Sequence, residues 1–98
     1  MGARHFTVTQ DVDGTYLFKG ELTIHDLDYL KDFLESSAAR SRKVAVSFSE
    51  VSFADTATLQ FLAVFRRYVK KTKQWEVTGL SEEMEKILAV SGLRAHIV

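Results

Sequence analysis

The 98-residue sequence contains no cysteine and no proline, only five glycines, no excess of either charge and no long apolar run. Without a thiol there is no disulfide framework, thiolate metal site, cysteine nucleophile or iron–sulfur cluster, and a reducing cytoplasm fits. Thirteen Lys and Arg balance thirteen Asp and Glu, so no net field draws the chain onto nucleic acid or an anionic membrane. No apolar stretch approaches the roughly 18 residues of a membrane span. Met1 to Gln10 alternates apolar and polar residues instead of building a secretory leader. Gly2 lacks the Ser or Thr at position 6 that myristoylation favours, because Phe6 stands there. The glycines form neither a phosphate-binding loop nor a dinucleotide fingerprint. No linker-like stretch divides the chain, so residues 1–98 are expected to form one domain.

What is present is a globular composition, 46% hydrophobic and 27% charged, with one Trp, three Tyr and seven Phe. Phe6 to Gln10 and Thr15 to Lys19 alternate as strands around Asp13-Gly14, a pair suited to a type I′ hairpin turn. Thr23 is expected to cap a first helix, with Asp26 and Asp28 in its opening turn and Leu27, Leu30, Phe33 and Leu34 recurring at helical spacing to about Ala39. Val44, Val46 and Phe48 alternate with Ala45 and Ser47 in a central strand. A helical segment then runs to Lys71. Its wheel gathers Phe61, Leu62, Phe65, Tyr68 and Val69 on one face and leaves Leu59 and Ala63 outside. Trp75 to Thr78 reads as another strand, Ser81 as a helix cap, Met84, Ile87 and Leu88 as a buried stripe, and Gly92-Leu93 as a glycine stop. Ala95 to Val98 suggests a last short strand. The fold class is therefore α/β, a small mixed sheet of about four or five strands with order β-β-α-β-α-β-α and a possible final β.

Catalytic and metal chemistry find little support. His5, His25 and His96 are scattered, and His25 with Asp28 on one helix face supplies two ligands where a metal needs more. No serine or threonine lies in a nucleophile-elbow pattern. No cofactor and no metal are implied. Arg66, Arg67, Lys70, Lys71 and Lys73 form the strongest charge cluster; such a face can bind phosphate, but it also complements the negative end of a helix and keeps its outer face wet.

The most informative stretch is Val51 to Phe65, VSFADTATLQFLAVF. Asp55 is suited to cap the helix, with Thr56 and Thr58 offering hydroxyls in its first turn. Together with GEL at Gly20 to Leu22, VAVSFSEVSFADTA, LQFLAVFRR and VTGLSEEMEKILAVSGL, taken in order, the chain resembles the STAS family of sulphate-transporter and anti-sigma-factor-antagonist domains over nearly its whole length.

That resemblance implies a STAS-like fold and a non-enzymatic domain that docks on a protein partner, either an anti-sigma-type kinase or a transporter ATPase. The docking face falls on Asp55, Thr56, Ala57, Thr58 and Leu59. In the regulatory branch a hydroxyl residue two positions after the motif aspartate accepts phosphate, which adds nearly two negative charges at the docking surface. Here that position is Ala57, so a phosphate switch is either absent or carried by Thr56 or Thr58. Asp-Thr-Ala is also similar to a branch that includes small subunits of bacterial phospholipid-transport ABC systems, in which the hydroxyl matching Thr56 serves the interface. The readings are thus an anti-sigma-factor-antagonist-like regulator, a constitutive subunit of such an assembly and, from another class, a small-ligand or nucleotide-binding protein. A cytoplasmic location is expected, with any membrane association arising through a partner. Leu59 lies outside the wheel's apolar face and is either exposed or buried under the loop before the helix; if it is exposed, Leu59→Arg abolishes docking with little loss of stability.

Overall fold

The computed structural model describes residues 4–98; Met1 and Gly2, on which the leader and acylation readings begin, lie outside them. Strands β1 (Phe6–Gln10) and β2 (Tyr16–Leu22) lead through a single 3-10 turn (Ile24–Asp26) into helix α1 (Leu27–Ala39). Strand β3 (Lys43–Ala54), helix α2 (Thr56–Val69), strand β4 (Gln74–Leu80) and helices α3 (Glu82–Ser91) and α4 (Arg94–Ile97) follow. The order β-β-α-β-α-β-α agrees with the sequence pattern.

The four strands lie in the order β1-β2-β3-β4, with β1 and β2 antiparallel and β2, β3 and β4 parallel. One face carries Phe6, Phe18, Val44, Val46 and Phe48, and these join a single apolar cluster with Leu30 and Leu34 of α1, Leu62 and Phe65 of α2, Met84 and Leu88 of α3 and Ile97 of α4. On the other face Thr7, Thr9, Lys19, Glu76 and Thr78 are exposed. All the helices therefore cover one side of the sheet. The small Ala45 and Ser47 are buried by their neighbours in the central strand rather than by a second layer.

The expected last strand is instead the short helix α4. The Trp75 indole Nε1 donates to the Ile97 carbonyl at 2.7 Å, Arg94 Nε pairs with Glu85 at 2.9 Å, and Ile97 is fully buried. The segment closes the end of the core because burying Ile97 there gains apolar area that edge pairing with β4 would leave exposed.

The hairpin also differs from its expected form. No non-glycine residue has positive φ among the described residues, which excludes a type I′ turn at Asp13-Gly14. A five-residue loop is held by the Asp11 carboxylate, which accepts the Asp13 and Thr15 N–H groups at 2.9 and 3.0 Å, while Gly14 supplies the left-handed step.

Helix α2 is rotated relative to its wheel reading. Thr58, Leu59, Leu62, Phe65 and Val69 are its buried residues, whereas Phe61 is half-buried and Tyr68 is 60% exposed. Leu59, expected outside, is buried in the main cluster. Phe61 and Tyr68 line a partly open seam between α2 and α1, facing Leu27, Lys31 and Glu35. Periodicity finds an apolar arc but not its centre, because the arc is broad and neighbours on either flank decide which edge is covered.

Leu59→Ala is accordingly expected to cost about 3 kcal/mol in denaturant unfolding, and Leu59→Arg to prevent folding rather than report on docking. Gly20, at φ +110, lies where an added methyl carbon would come 2.5 Å from the His5 carbonyl oxygen. Gly20→Ala should therefore lower stability by about 2 kcal/mol or more; an unchanged melting midpoint would show that the β1–β2 pairing yields without strain.

Candidate partner-docking site

The parallel strands β2 and β3 end side by side at Leu22 and Ala54, and the chain turns from each of them into helical structure. Asp55 stands at that junction. Its N–H donates to the Leu22 carbonyl at 3.1 Å, and its own carbonyl accepts the Leu59 N–H at 3.0 Å. Its carboxylate accepts the Thr58 N–H at 2.9 Å through Oδ1 and the Ile24 N–H at 2.8 Å through Oδ2. The cap expected on α2 is thus present, and the same carboxylate also serves the segment leading to α1.

That second bond replaces the cap expected from Thr23, whose hydroxyl is buried and makes no hydrogen bond. Asp26, expected to favour the opening helical turn, instead accepts both the backbone N–H and the ring Nδ1 of His5, at 2.8 and 3.0 Å. Partial burial pushes the Asp55 carboxyl up, but the backbone donors of Ile24 and Thr58, aided by the nearby Thr58 hydroxyl and then by the charge of His25, outweigh it and hold the group below the ordinary aspartate value. The His5 backbone donor lowers Asp26 in the same direction, against a smaller effect of desolvation.

With this end of α2 fixed, the five candidate residues separate by depth. Thr56 is exposed, Asp55 and Ala57 are half-buried, and Thr58 and Leu59 are buried at 0% and 1% exposure. The Thr58 hydroxyl has no hydrogen-bond partner. Beside Thr56 runs a shallow groove of about 580 Å³ between the end of β3 and α3, lined by Phe53, Lys86, Ile87 and Val90 as well. Phe53 is 45% exposed and Val90 90% exposed, so two apolar side chains that the sequence reading did not single out flank the hydroxyl. A signal for Val90 existed: it lies off the Met84–Leu88 stripe of an amphipathic helix.

His5 and His25 rings lie 5.9 Å apart beside Asp26, while His96 sits on α4, and His25 lies in the 3-10 turn rather than sharing a helix with Asp28. Among the described residues no group of three or more His, Asp or Glu is placed to hold a metal ion. No helix among them is long and apolar enough to cross a membrane.

A family model described as "Mlab, STAS domain" matches residues 9–98. The sequence matches no curated protein. Among solved structures, an anti-sigma factor antagonist from Mycobacterium paratuberculosis is similar at a TM-score of 0.72 and 20% identity, over 92% of this chain and 79% of that one. The anti-sigma factor antagonist SpoIIAA in its unphosphorylated form is similar at 0.69 and 16%, over 95% and 85% of the two chains. The phosphorylated form of the Bacillus cell fate determinant SpoIIAA gives 0.64 and 17%, over 95% and 88%. At these identities the likeness is one of fold.

Asp55→Asn is expected to cost about 2 kcal/mol at neutral pH, because a charge-assisted cap and a second backbone acceptor are both weakened. The pH sign follows from the lowered carboxyl. The contribution is complete above about 3.9, the ordinary Asp value of the unfolded chain, and is lost as pH falls through the lower folded-state value. Melting curves of wild type and Asp55→Asn should therefore converge in acid. A gap that stays constant down to full protonation would show that the carboxylate charge contributes nothing.

Proposed function

The chain belongs to the STAS domain family, and on that premise we propose that it is a protein-interaction module, an anti-sigma-factor-antagonist-like regulator that docks on a partner protein. Domains of this family are generally non-enzymatic binding domains. The docking face is built on the turn and helix start at Asp55, Thr56 and Ala57, with Thr58 and Leu59 supporting it from beneath. The observation that carries this reading is the juxtaposition at the α2 N-terminus of a rigidly capped, exposed Thr56 with the exposed apolar side chains of Phe53 and Val90. A small apolar shelf with a hydrogen-bonding hydroxyl at its rim has the make-up of a protein contact, an apolar centre edged by polar groups.

Any covalent switch falls to Thr56. Ala57 has no hydroxyl, and the Thr58 hydroxyl is enclosed. Phosphate on Thr56 would be tolerated within the chain by the positive end of α2 and by Lys86 in the same groove. Against a partner's apolar surface the same two charges would oppose docking. A second reading, a constitutive subunit of a phospholipid-transport ABC assembly, draws support from Ala57 and from the description of the matching family model.

The test compares wild type with Val90→Asp in pull-downs from the host lysate, read by mass spectrometry. Because Val90 is 90% exposed, the variant should keep its stability within about 0.5 kcal/mol while losing the partner that wild type retains. Retention of that partner would remove the shelf from the interface. An ATP-binding kinase recovered with phosphate on Thr56 supports the regulator. A transporter ATPase recovered with unmodified threonine supports the constitutive subunit.

A further inference from the structure

The opposite end of α2, about 20 Å from Thr56 at 1.5 Å rise per residue, carries a feature that docking does not use. Arg66, Arg67, Lys70 and Lys71 converge with His96 of α4 around one concavity of about 350 Å³, with Ala63 and Val64 also lining it. No acidic side chain lines it. Among the described residues none of these five groups forms an ion pair.

The negative end of α2 accounts for some of this charge, since Arg66 and Arg67 lie in its last turn. It does not account for the arrangement. Arg66–Lys70 and Arg67–Lys71 stand at i, i+4, where like charges repel. The Arg66 Nε is buried with no hydrogen-bond partner. An N–H on a permanently charged group, shielded from water and lacking an acceptor, is costly, so no partner within the chain holds this guanidinium, which also lines the concavity.

We infer that this concavity is a binding site for a phosphate-bearing polyanion. Two guanidinium forks can each bind phosphate oxygens in bidentate fashion, and two ammonium groups add point charges. That set exceeds what one monoanion can neutralise and matches linked or clustered phosphates. The ligand is either a soluble oligophosphate or the phosphate headgroup of a lipid. The neutral chain as a whole has no field to hold such a ligand, so affinity depends on the local constellation.

Calorimetric titration of the full chain with sodium tripolyphosphate at physiological ionic strength is expected to give saturable, one-site binding. Arg67→Gln/Lys70→Gln alters two exposed residues and should weaken binding at least about tenfold, the scale of a lost charge-assisted contact, with the melting midpoint of the free protein retained. Lys19→Gln/Lys31→Gln removes the same charge elsewhere and should bind as wild type does. Absence of binding to both tripolyphosphate and phosphatidic acid vesicles, or equal loss in the two double variants, overturns the proposal. Co-sedimentation with phosphatidic acid in phosphatidylcholine vesicles, set against phosphatidylcholine alone, identifies the source. Vesicle binding displaced by tripolyphosphate and lost in Arg67→Gln/Lys70→Gln assigns a lipid headgroup, tripolyphosphate binding without vesicle binding assigns a soluble oligophosphate, and vesicle binding indifferent to that variant overturns the site.

Discussion

The carboxylate of Asp55 is the constraint on which the arrangement at the α2 N-terminus depends. One oxygen holds the first turn of α2 through Thr58, and the other holds the entry to α1 through Ile24, 31 residues away in sequence. The Asp55 backbone meanwhile ties to β2 through Leu22 and to α2 through Leu59. Three segments are therefore joined through four bonds to one residue, and each bond restricts the geometry available to the others. A lone cap would fix the helix start relative to its own chain; this one fixes it relative to the sheet.

That rigidity gives Thr56 its meaning. A hydroxyl on a loose loop presents no defined surface, whereas here it stands beside Phe53 and Val90 at positions set by β3 and α3. Thr58 and Leu59, neighbours in sequence, face inward and contribute by filling the core beneath. Within four residues the chain passes from cap to exposed surface to core, as a helix must when its first turn sits over a packed layer.

A balanced composition conceals a polarised molecule. The N-terminal end of α2 is apolar and hydroxyl-bearing, while its C-terminal end gathers four cations and His96 without a carboxylate among them. Acidic side chains lie elsewhere, as with Glu76 paired to Lys43 on the open face of the sheet. The two ends of this one helix are thus chemically distinct and separated by its length.

Local chemistry made most of the architecture readable from sequence. Strand and helix periods differ, so the order of elements was plain, and the devices at Asp55, Ser81 and Gly92 act through bonds spanning three or four residues. The basic cluster on α2 was equally visible. Tertiary structure decided whatever depended on distant partners. It set the rotation of α2 that buries Leu59, the burial of Thr58, and the folding of the last residues into α4 under Trp75. It also gave the Ile24 and His5 N–H groups to the carboxylates of Asp55 and Asp26, leaving Thr23 without a capping role. A sequence states which groups need partners; only packing determines which of the available partners comes within reach.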